Sequence, residues 1–124
     1  MKFLGILLLS IISFGSMAQN QYARLAGDWE GTISAQGQTL KVIFHITYNG
    51  EKLSATLDSP DQGATGLKVD EVSFVDGVLK MKSNVVQGTY EGVVTKFIKA
   101  EGKWSQGGMS VDLNLAKKTK KGTS

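Results

Sequence analysis

The stretch that decides the fold is TLKVIFHITY, residues 39–48, in which every second side chain is apolar. On one face of an extended chain lie Leu40, Val42, Phe44, Ile46 and Tyr48. On the opposite face lie Lys41, His45 and Thr47. A repeat of two residues predicts a β-strand with one buried and one solvated face. The same alternation recurs along the chain, so we expect an all-β protein.

Turn signals divide the chain into eight such segments. Residues that tolerate positive φ predict tight hairpin turns at Gln36-Gly37, Asn49-Gly50 and Asp76-Gly77, and Gln106-Gly107-Gly108 predicts a slightly longer one. The expected strands cover residues 28–35, 39–48, 52–58, 67–75, 78–83, 86–94, 97–105 and 109–116. The apolar residues of the fourth segment change phase part-way along, which predicts a β-bulge near Asp70-Glu71.

Consecutive strands with short turns predict an antiparallel meander. Eight strands with one apolar face each bury that face by closing into an up-and-down barrel, which also removes exposed edges. Glycine lets strands coil sharply, so four glycines inside the expected strands favour closure: Gly31, Gly88, Gly92 and Gly102. A two-sheet sandwich is the alternative, but it needs longer connections. The only helix expected is a single turn within residues 22–25.

The first 18 residues, MKFLGILLLSIISFGSMA, have the pattern of a signal peptide. A lysine precedes the apolar run of residues 3–14, and the small residues Ser16 and Ala18 precede the expected cut. A retained anchor is the alternative, although the run is shorter than the roughly 20 residues that a spanning helix needs. We expect residues 19–26 to be a lead-in, residues 27–116 a single barrel domain, and residues 117–124 a disordered tail. The protein is then exported, to the periplasm or beyond, with no transmembrane segment after cleavage.

Composition excludes several classes of function. The chain has no Cys and one His, which excludes disulfide scaffolds, thiol catalysis and an acylated-cysteine anchor, and we expect neither a metal nor another cofactor. The formal charge of +3 is misleading, because residues 19–116 hold nine basic and 11 acidic residues. Nucleic acid is therefore not an expected partner. Four lysines crowd the tail: Lys117, Lys118, Lys120 and Lys121. They are a solubilising end or, alternatively, a weak contact for anionic surfaces.

The motifs of the chain resemble known barrels. Its first strand opens with residues 27–31, GDWEG, a G-x-W start similar to that of lipocalin and avidin-type barrels, where the Trp closes one end. Further motifs are FHI at residues 44–46, SPDQGA at 59–64, YEG at 90–92 and EGKWSQGG at 101–108. In order and spacing the set resembles the amino-terminal accessory domain of secreted bacterial serine α/β-hydrolases, a domain that also occurs alone. The resemblance spans roughly residues 27–116.

The resemblance does not bring hydrolase activity with it, because the chain has no G-x-S-x-G nucleophile motif. A Ser-His-Asp set can be assembled from Ser59, His45 and Asp61. Strand parity, however, points His45 away from the interior, and the other two residues flank Pro60 in a turn-forming sequence. We therefore expect a barrel that is not an enzyme.

The inward faces define the candidate ligand site. Their expected lining is Trp29, Ile33, Leu40, Val42, Phe44, Ile46, Leu53, Leu57, Leu79, Met81, Tyr90, Ile98, Trp104, Val111, Leu113 and Leu115. A barrel of this size is either filled by its side chains or holds one small ligand, and this bulky lining favours a filled interior. A ligand would be apolar and uncharged, because no Arg or Lys falls in phase with the lining. The loop at residues 59–66, SPDQGATG, is expected to be a lid over one end or, alternatively, a contact for ligand at the mouth.

From these patterns the candidate ligand-binding residues are Trp29, Phe44, Asp61, Gln62, Tyr90, Trp104 and Gln106. Two functions of different classes follow. The first is an exported, non-catalytic barrel that binds a small apolar ligand or a protein partner. The second is a structural accessory module that supports a separately encoded α/β-hydrolase.

Overall fold

A computed structural model describes residues 21–118 of the 124-residue chain. These residues form nine antiparallel strands of one sheet, curved into a nearly closed barrel. The strands are β1 (Gly27–Ala35), β2 (Gln38–Tyr48), β3 (Leu53–Ser59), β4 (Ala64–Val69), β5 (Glu71–Val75), β6 (Val78–Ser83), β7 (Gly88–Thr95), β8 (Lys99–Gln106) and β9 (Met109–Lys117). The expected all-β class is confirmed. The expected signal peptide and most of the lysine-rich tail lie outside the described residues.

Buried and outward-facing side chains alternate along the strands, as the sequence predicts. In β2 the side chains of Val42, Phe44 and Ile46 are buried, while the residues between them reach the outer surface. The tight turn expected at Asn49-Gly50 is wrong, because the connection spans residues 49–52 and only Gly50 in it has positive φ. At Gln36-Gly37 the hairpin turn does use the expected residues, which have φ values of 53° and 78°. Positive φ at both central residues matches the right-handed twist of the flanking strands.

The strand count differs from the expected eight, because the predicted fourth strand is two strands. Asp70 separates β4 from β5 at the predicted irregularity, and there the chain changes its pairing partner. β4 pairs with β3, whereas β5 pairs with β6. The apolar residues therefore change phase because the chain changes its neighbouring strand at this point. A β-bulge within one continuous strand would leave the neighbouring strand the same.

The barrel closes across this same point. The strand order is β4-β3-β2-β1-β9-β8-β7-β6-β5, so β4 and β5 are the two edges of the sheet. The backbone N–H of Asp70 donates to the Lys82 carbonyl over 2.7 Å. The Ser83 hydroxyl donates to the Lys68 carbonyl over 2.7 Å, and the Asn84 N–H donates to the Asp70 carboxylate over 2.8 Å. We call these three hydrogen bonds the seam.

The two ends of the barrel are built differently. At the capped end lie the turns at residues 49–52, 76–77 and 96–98, together with a helical turn at residues 21–25. Leu25 of that turn is fully buried, and its carbonyl accepts a 2.9 Å hydrogen bond from the Trp29 indole. At the loop end lie the turns at residues 36–37, 84–87 and 107–108 and a 3-10 helix, Pro60–Gln62. The lead-in segment thus closes one end. Within the described residues no helix is long and apolar enough to cross a bilayer.

Two glycines make room for aromatic rings inside the barrel. A Cβ at Gly92 would press on the ring of Tyr90, and one at Gly88 would press on the ring of Trp104. One lining prediction is wrong, because Ile98 is 50% exposed. It lies in the turn before β8, which begins at Lys99, so Ala100 is the first inward residue of that strand.

Candidate functional site

The candidate site is an apolar depression of about 210 Å³ at the loop end. It is lined by Ile33, Ala35, Gln36, Leu40, Trp104, Gln106, Met109 and Val111. These residues come from two neighbouring hairpins, β1–β2 and β8–β9. Within each hairpin they face one another, as in the pairs Ile33 with Leu40 and Trp104 with Val111.

The depression exists because β1 and β9 separate toward the loop end. Their pairing is limited to Trp29 with Lys117 and Glu30 with Ala116, near the capped end. By contrast, β1 pairs with β2 along its whole length, from Gly27 to Ala35. The two hairpins therefore diverge toward the loop end, and the depression occupies the space between them.

The Trp104 indole is held in a fixed orientation. It is 6% exposed, and its Nε1–H donates to Gln106 Oε1 over 2.9 Å. The Gln106 Nε2 donates in turn to the Val86 carbonyl over 2.7 Å. One side-chain amide thus ties the tryptophan to the turn between β6 and β7. The Trp104 indole forms the floor of the depression. Because the two hydrogen bonds fix its rotamer, it needs no further ordering when a ligand binds.

The chemistry of the depression is neutral and apolar. None of its lining side chains is ionisable, and its polar groups are the amides of Gln36 and Gln106. Its volume is smaller than the roughly 300 Å³ at which pockets for drug-sized ligands begin. It is similar to an apolar cavity of about 150 Å³ that binds benzene. The site therefore suits one ring or a short alkyl group.

Below this floor the interior is filled by aromatic side chains. Phe44 lies 6.0 Å from Tyr90 and 6.2 Å from Trp104, measured between ring centroids. Phe44 and Tyr90 are each 1% exposed, so both side chains lie in the packed interior. The expectation of a filled interior agrees with this packing around the three rings, and a ligand at the loop end stops at Trp104.

The Tyr90 hydroxyl is an anomaly in this core. It is buried and has no hydrogen-bond partner among the described residues. Burial, together with the charge of Glu101, raises the pKa of Tyr90 well above its ordinary range, so the hydroxyl stays neutral. An unpaired buried hydroxyl costs stability.

The structure brings four of the seven candidate ligand residues together: Phe44, Tyr90, Trp104 and Gln106. Trp29 lies at the capped end, where the indole bonds to Leu25. Asp61 and Gln62 lie in the 3-10 helix at the loop end. The Asp61 carboxylate accepts from the Lys41 N–H over 2.8 Å, and the Gln62 amide oxygen accepts from the Ser59 hydroxyl over 2.8 Å. The Asp61 bond satisfies a backbone N–H, as expected of a lid, whereas the Gln62 bond joins two side chains.

Sequence reasoning missed three lining residues, Ala35, Gln36 and Met109. They lie beside the two hairpin turns that the sequence identifies. No local pattern predicts these residues as lining, because they meet only where the two neighbouring hairpins diverge. That arrangement depends on how the whole sheet closes.

The Ser-His-Asp set does not assemble. His45 Nδ1 lies 2.7 Å from Asp28 Oδ1, and His45 Nε2 lies 2.7 Å from Asp58 Oδ2. Both ring nitrogens thus face carboxylates, so neither is free to take a proton from a serine. Ser59 and Asp61 bond elsewhere, as described above. We call the three residues Asp28, His45 and Asp58 the histidine clamp.

The clamp joins the outer wall of four strands. Asp58 Oδ1 also accepts a 2.7 Å hydrogen bond from the Gly66 N–H in β4. Hydrogen bonds to Asp58 and then to Asp28 raise the pKa of His45. The bond from Gly66, followed by that from His45, lowers the pKa of Asp58. The arrangement therefore favours the protonated form of His45.

A larger surface groove on the outer wall is chemically different. It has a volume of about 720 Å³ and is lined largely by polar side chains of β1, β8 and β9, including the Lys103–Asp112 ion pair at 2.6 Å. Exposed ion pairs of this kind are solvated and contribute little. No group of three or more His, Cys, Asp or Glu side chains within residues 21–118 is arranged to hold a metal ion.

The candidate site is thus the apolar depression at the loop end, whose lining contains no ionisable side chain. Comparison of the chain with protein-family models, with curated proteins and with solved structures found no match.

Proposed function

We propose that this protein is an exported, non-catalytic binding module whose loop end takes one uncharged apolar group of its ligand. The observation that carries the proposal is the depression itself, with a fixed indole as floor and no ionisable residue in its lining. A charged ligand would lose its hydration there without gaining a partner. A neutral ring or alkyl group would gain by burial against Trp104 and its apolar neighbours.

The two tryptophans give this proposal an internal reference. Trp104 forms the floor of the depression, whereas Trp29 bonds to Leu25 at the opposite end. In a ¹H–¹⁵N spectrum each indole N–H gives its own signal. Titration with benzyl alcohol or cyclohexanol is expected to move the Trp104 signal and to leave that of Trp29 in place. Benzylammonium, the charged counterpart, is expected to bind more weakly than benzyl alcohol.

A pair of matched variants locates the contact. Met109→Gln removes an exposed apolar side chain from the lining and is expected to weaken binding severalfold. Val75→Gln makes a similar change on a residue that is also exposed but lies outside the depression, and is expected to leave binding unchanged. Equal shifts of both indoles, or no shift with any neutral probe up to its solubility limit, would overturn the proposal.

A specific observation favours a second function, the docking of a partner protein at the same end. Val85 and Met109 are 63% and 48% exposed, and both lie at the loop end. Apolar side chains beside a ring-sized depression fit a protein surface that inserts one apolar residue. On this proposal the partner is a separately encoded α/β-hydrolase, as the sequence resemblance implies. A G-x-S-x-G hydrolase in the neighbouring reading frame that co-purifies with the wild type, and not with Met109→Gln, would support it.

A further inference from the structure

The capped end carries a surface of a different kind from the loop end. Between β7 and β8 the turn has the sequence Lys96-Phe97-Ile98 and is followed by Lys99. Ile98 is 50% exposed, and both lysines are exposed. The tip therefore presents one apolar side chain between two positive charges.

This tip is built at a cost in backbone strain. Lys96 and Phe97 have φ values of 54° and 57°, in the left-handed region where glycine or asparagine is favoured. Phe97 recovers part of that cost by packing against Phe74 at 5.8 Å. The Ile98 N–H donates to the Thr95 carbonyl over 3.1 Å, which closes the turn and leaves the Ile98 side chain exposed.

Three segments of the chain meet at this tip. The Arg24 guanidinium stacks on Phe97 at 4.4 Å from the ring centroid. The Lys117 N–H donates to the Ile98 carbonyl over 2.8 Å, and the Lys117 ammonium donates to the Arg24 carbonyl over 2.7 Å. The exposed tip thus adjoins further cations from both ends of the domain.

The segments outside the described residues start at this same end. The chain enters the barrel through the helical turn at residue 21 and leaves it at residue 118. The segment that follows residue 118 contains two further lysines, Lys120 and Lys121. The acidic residues of the capped-end turns, Glu51 and Asp76, belong to the other two turns, at 49–52 and 76–77.

We propose that the capped end rests on an anionic lipid bilayer, with Ile98 entering the headgroup region and Lys96, Lys99 and Arg24 contacting the headgroups. The loop end, with its apolar depression, then points away from the membrane. An apolar side chain flanked by cations is the combination that binds anionic bilayer surfaces. Because the charges are exposed, the binding weakens as salt is added.

Vesicle flotation tests this surface with the chain from Gln19 to Ser124, which contains every residue of the described core. Vesicles of phosphatidylcholine mixed with phosphatidylglycerol are compared with phosphatidylcholine alone. The wild type is expected to float with the anionic vesicles only. Lys96→Glu with Lys99→Glu is expected to lower the apparent affinity more than 20-fold, from about fivefold for each lost lysine contact. Ile98→Ser is expected to lower it by about tenfold.

Matched controls separate this surface from charge and tail effects. Lys80→Glu with Lys82→Glu makes the same charge change on the outer wall of β6 and is expected to have a smaller effect. Val85→Ser removes an exposed apolar residue at the opposite end and is expected to have none. Urea unfolding checks that each variant is folded.

Three results would overturn the proposal: no binding to anionic vesicles, equal losses for the two lysine pairs, or complete loss on removing residues 119–124 with no effect of the tip variants. Binding to dextran sulfate as tight as to vesicles and unaffected by Ile98→Ser would indicate a soluble polyanion instead.

Discussion

Raising the pH is expected to weaken the outer wall of the barrel through the histidine clamp. Both ring nitrogens of His45 lie 2.7 Å from carboxylate oxygens, so both must carry protons for the two contacts to be favourable. Loss of one proton turns a donor into a lone pair that faces a negative charge. One strand-to-strand contact then becomes repulsive.

The direction of the effect follows from the pKa shifts. Asp58 and then Asp28 raise the pKa of His45 above its ordinary value of 6.5. A raised pKa in the folded state gives stability that is fully present below about pH 6.5 and is lost as the pH rises through the folded value. The pKa of Asp58 is lowered from 3.8, so its contribution is present above that value and is lost as the pH falls below it. The clamp is therefore complete between these two ordinary values.

The magnitude is limited by solvent. The side chains of His45 and Asp28 are 36% and 53% exposed, so water screens their interaction. Exposed ion pairs contribute about 0.2–1 kcal/mol each, which gives about 1 kcal/mol for the clamp as a whole. For a domain of this size that amount corresponds to a change of about 4–8 °C in melting temperature.

Urea unfolding at about pH 5.5, below the ordinary histidine pKa of 6.5, and at about pH 9, well above it, measures this contribution. The wild type is expected to lose about 1 kcal/mol of unfolding free energy at the higher pH. His45→Gln removes the titrating ring and is expected to show little change between the two conditions. Thr47→Gln, on the same outer face of β2, is expected to keep the wild-type loss.

A His45→Gln variant that retains the full wild-type pH dependence would refute this reasoning. Since His45 is the only histidine of the chain, its ring protons also give one resolvable titration by NMR. A midpoint below 6.5 would contradict the geometry of the clamp independently of stability.

Three further predictions concern the core, each read from the free energy of unfolding in urea. Tyr90→Phe removes the unpaired buried hydroxyl and is expected to stabilise by about 1 kcal/mol; a clear loss would mean that the hydroxyl has a partner. Gly92→Ala places a Cβ against the Tyr90 ring and is expected to destabilise by about 1–3 kcal/mol, and an unchanged midpoint would show that the ring can move. Leu25→Ala is expected to destabilise by about 2–5 kcal/mol, whereas Ala23→Ser in the same turn is exposed and should have little effect; similar values for both would show that the helical turn is no part of the folded unit.

Local patterns in the sequence predict where the strands lie and which face of each strand points inward. Alternation in β2 places Phe44 inside because burial of one face is a property of neighbouring residues. The same reasoning wrongly places Ile98 in the interior, because a shift of one or two residues at a turn moves a side chain from the interior to the surface. Leu25 was not expected in the core because a single helical turn has no sustained repeat.

Features set by distant neighbours could not be read in this way. The change of partner at Asp70 and the divergence of β1 from β9 depend on how the whole sheet closes. The same holds for part of the lining of the candidate site. Trp104 and Gln106 were found from motifs, whereas Met109 joins them only because two hairpins separate.

The seam gives the barrel a place to open without unfolding. Its three hydrogen bonds join Asp70 and β4 to the end of β6 and the turn after it, whereas β1 and β2 are joined along their whole length. At about 1 kcal/mol for each hydrogen bond, breaking them costs about 3 kcal/mol, less than global unfolding of a typical domain. Hydrogen exchange at the Asp70 amide should therefore proceed by local opening, faster than at amides inside β2. Such openings would expose β4 and its inward-facing Val69 to solvent while the other strands stay paired.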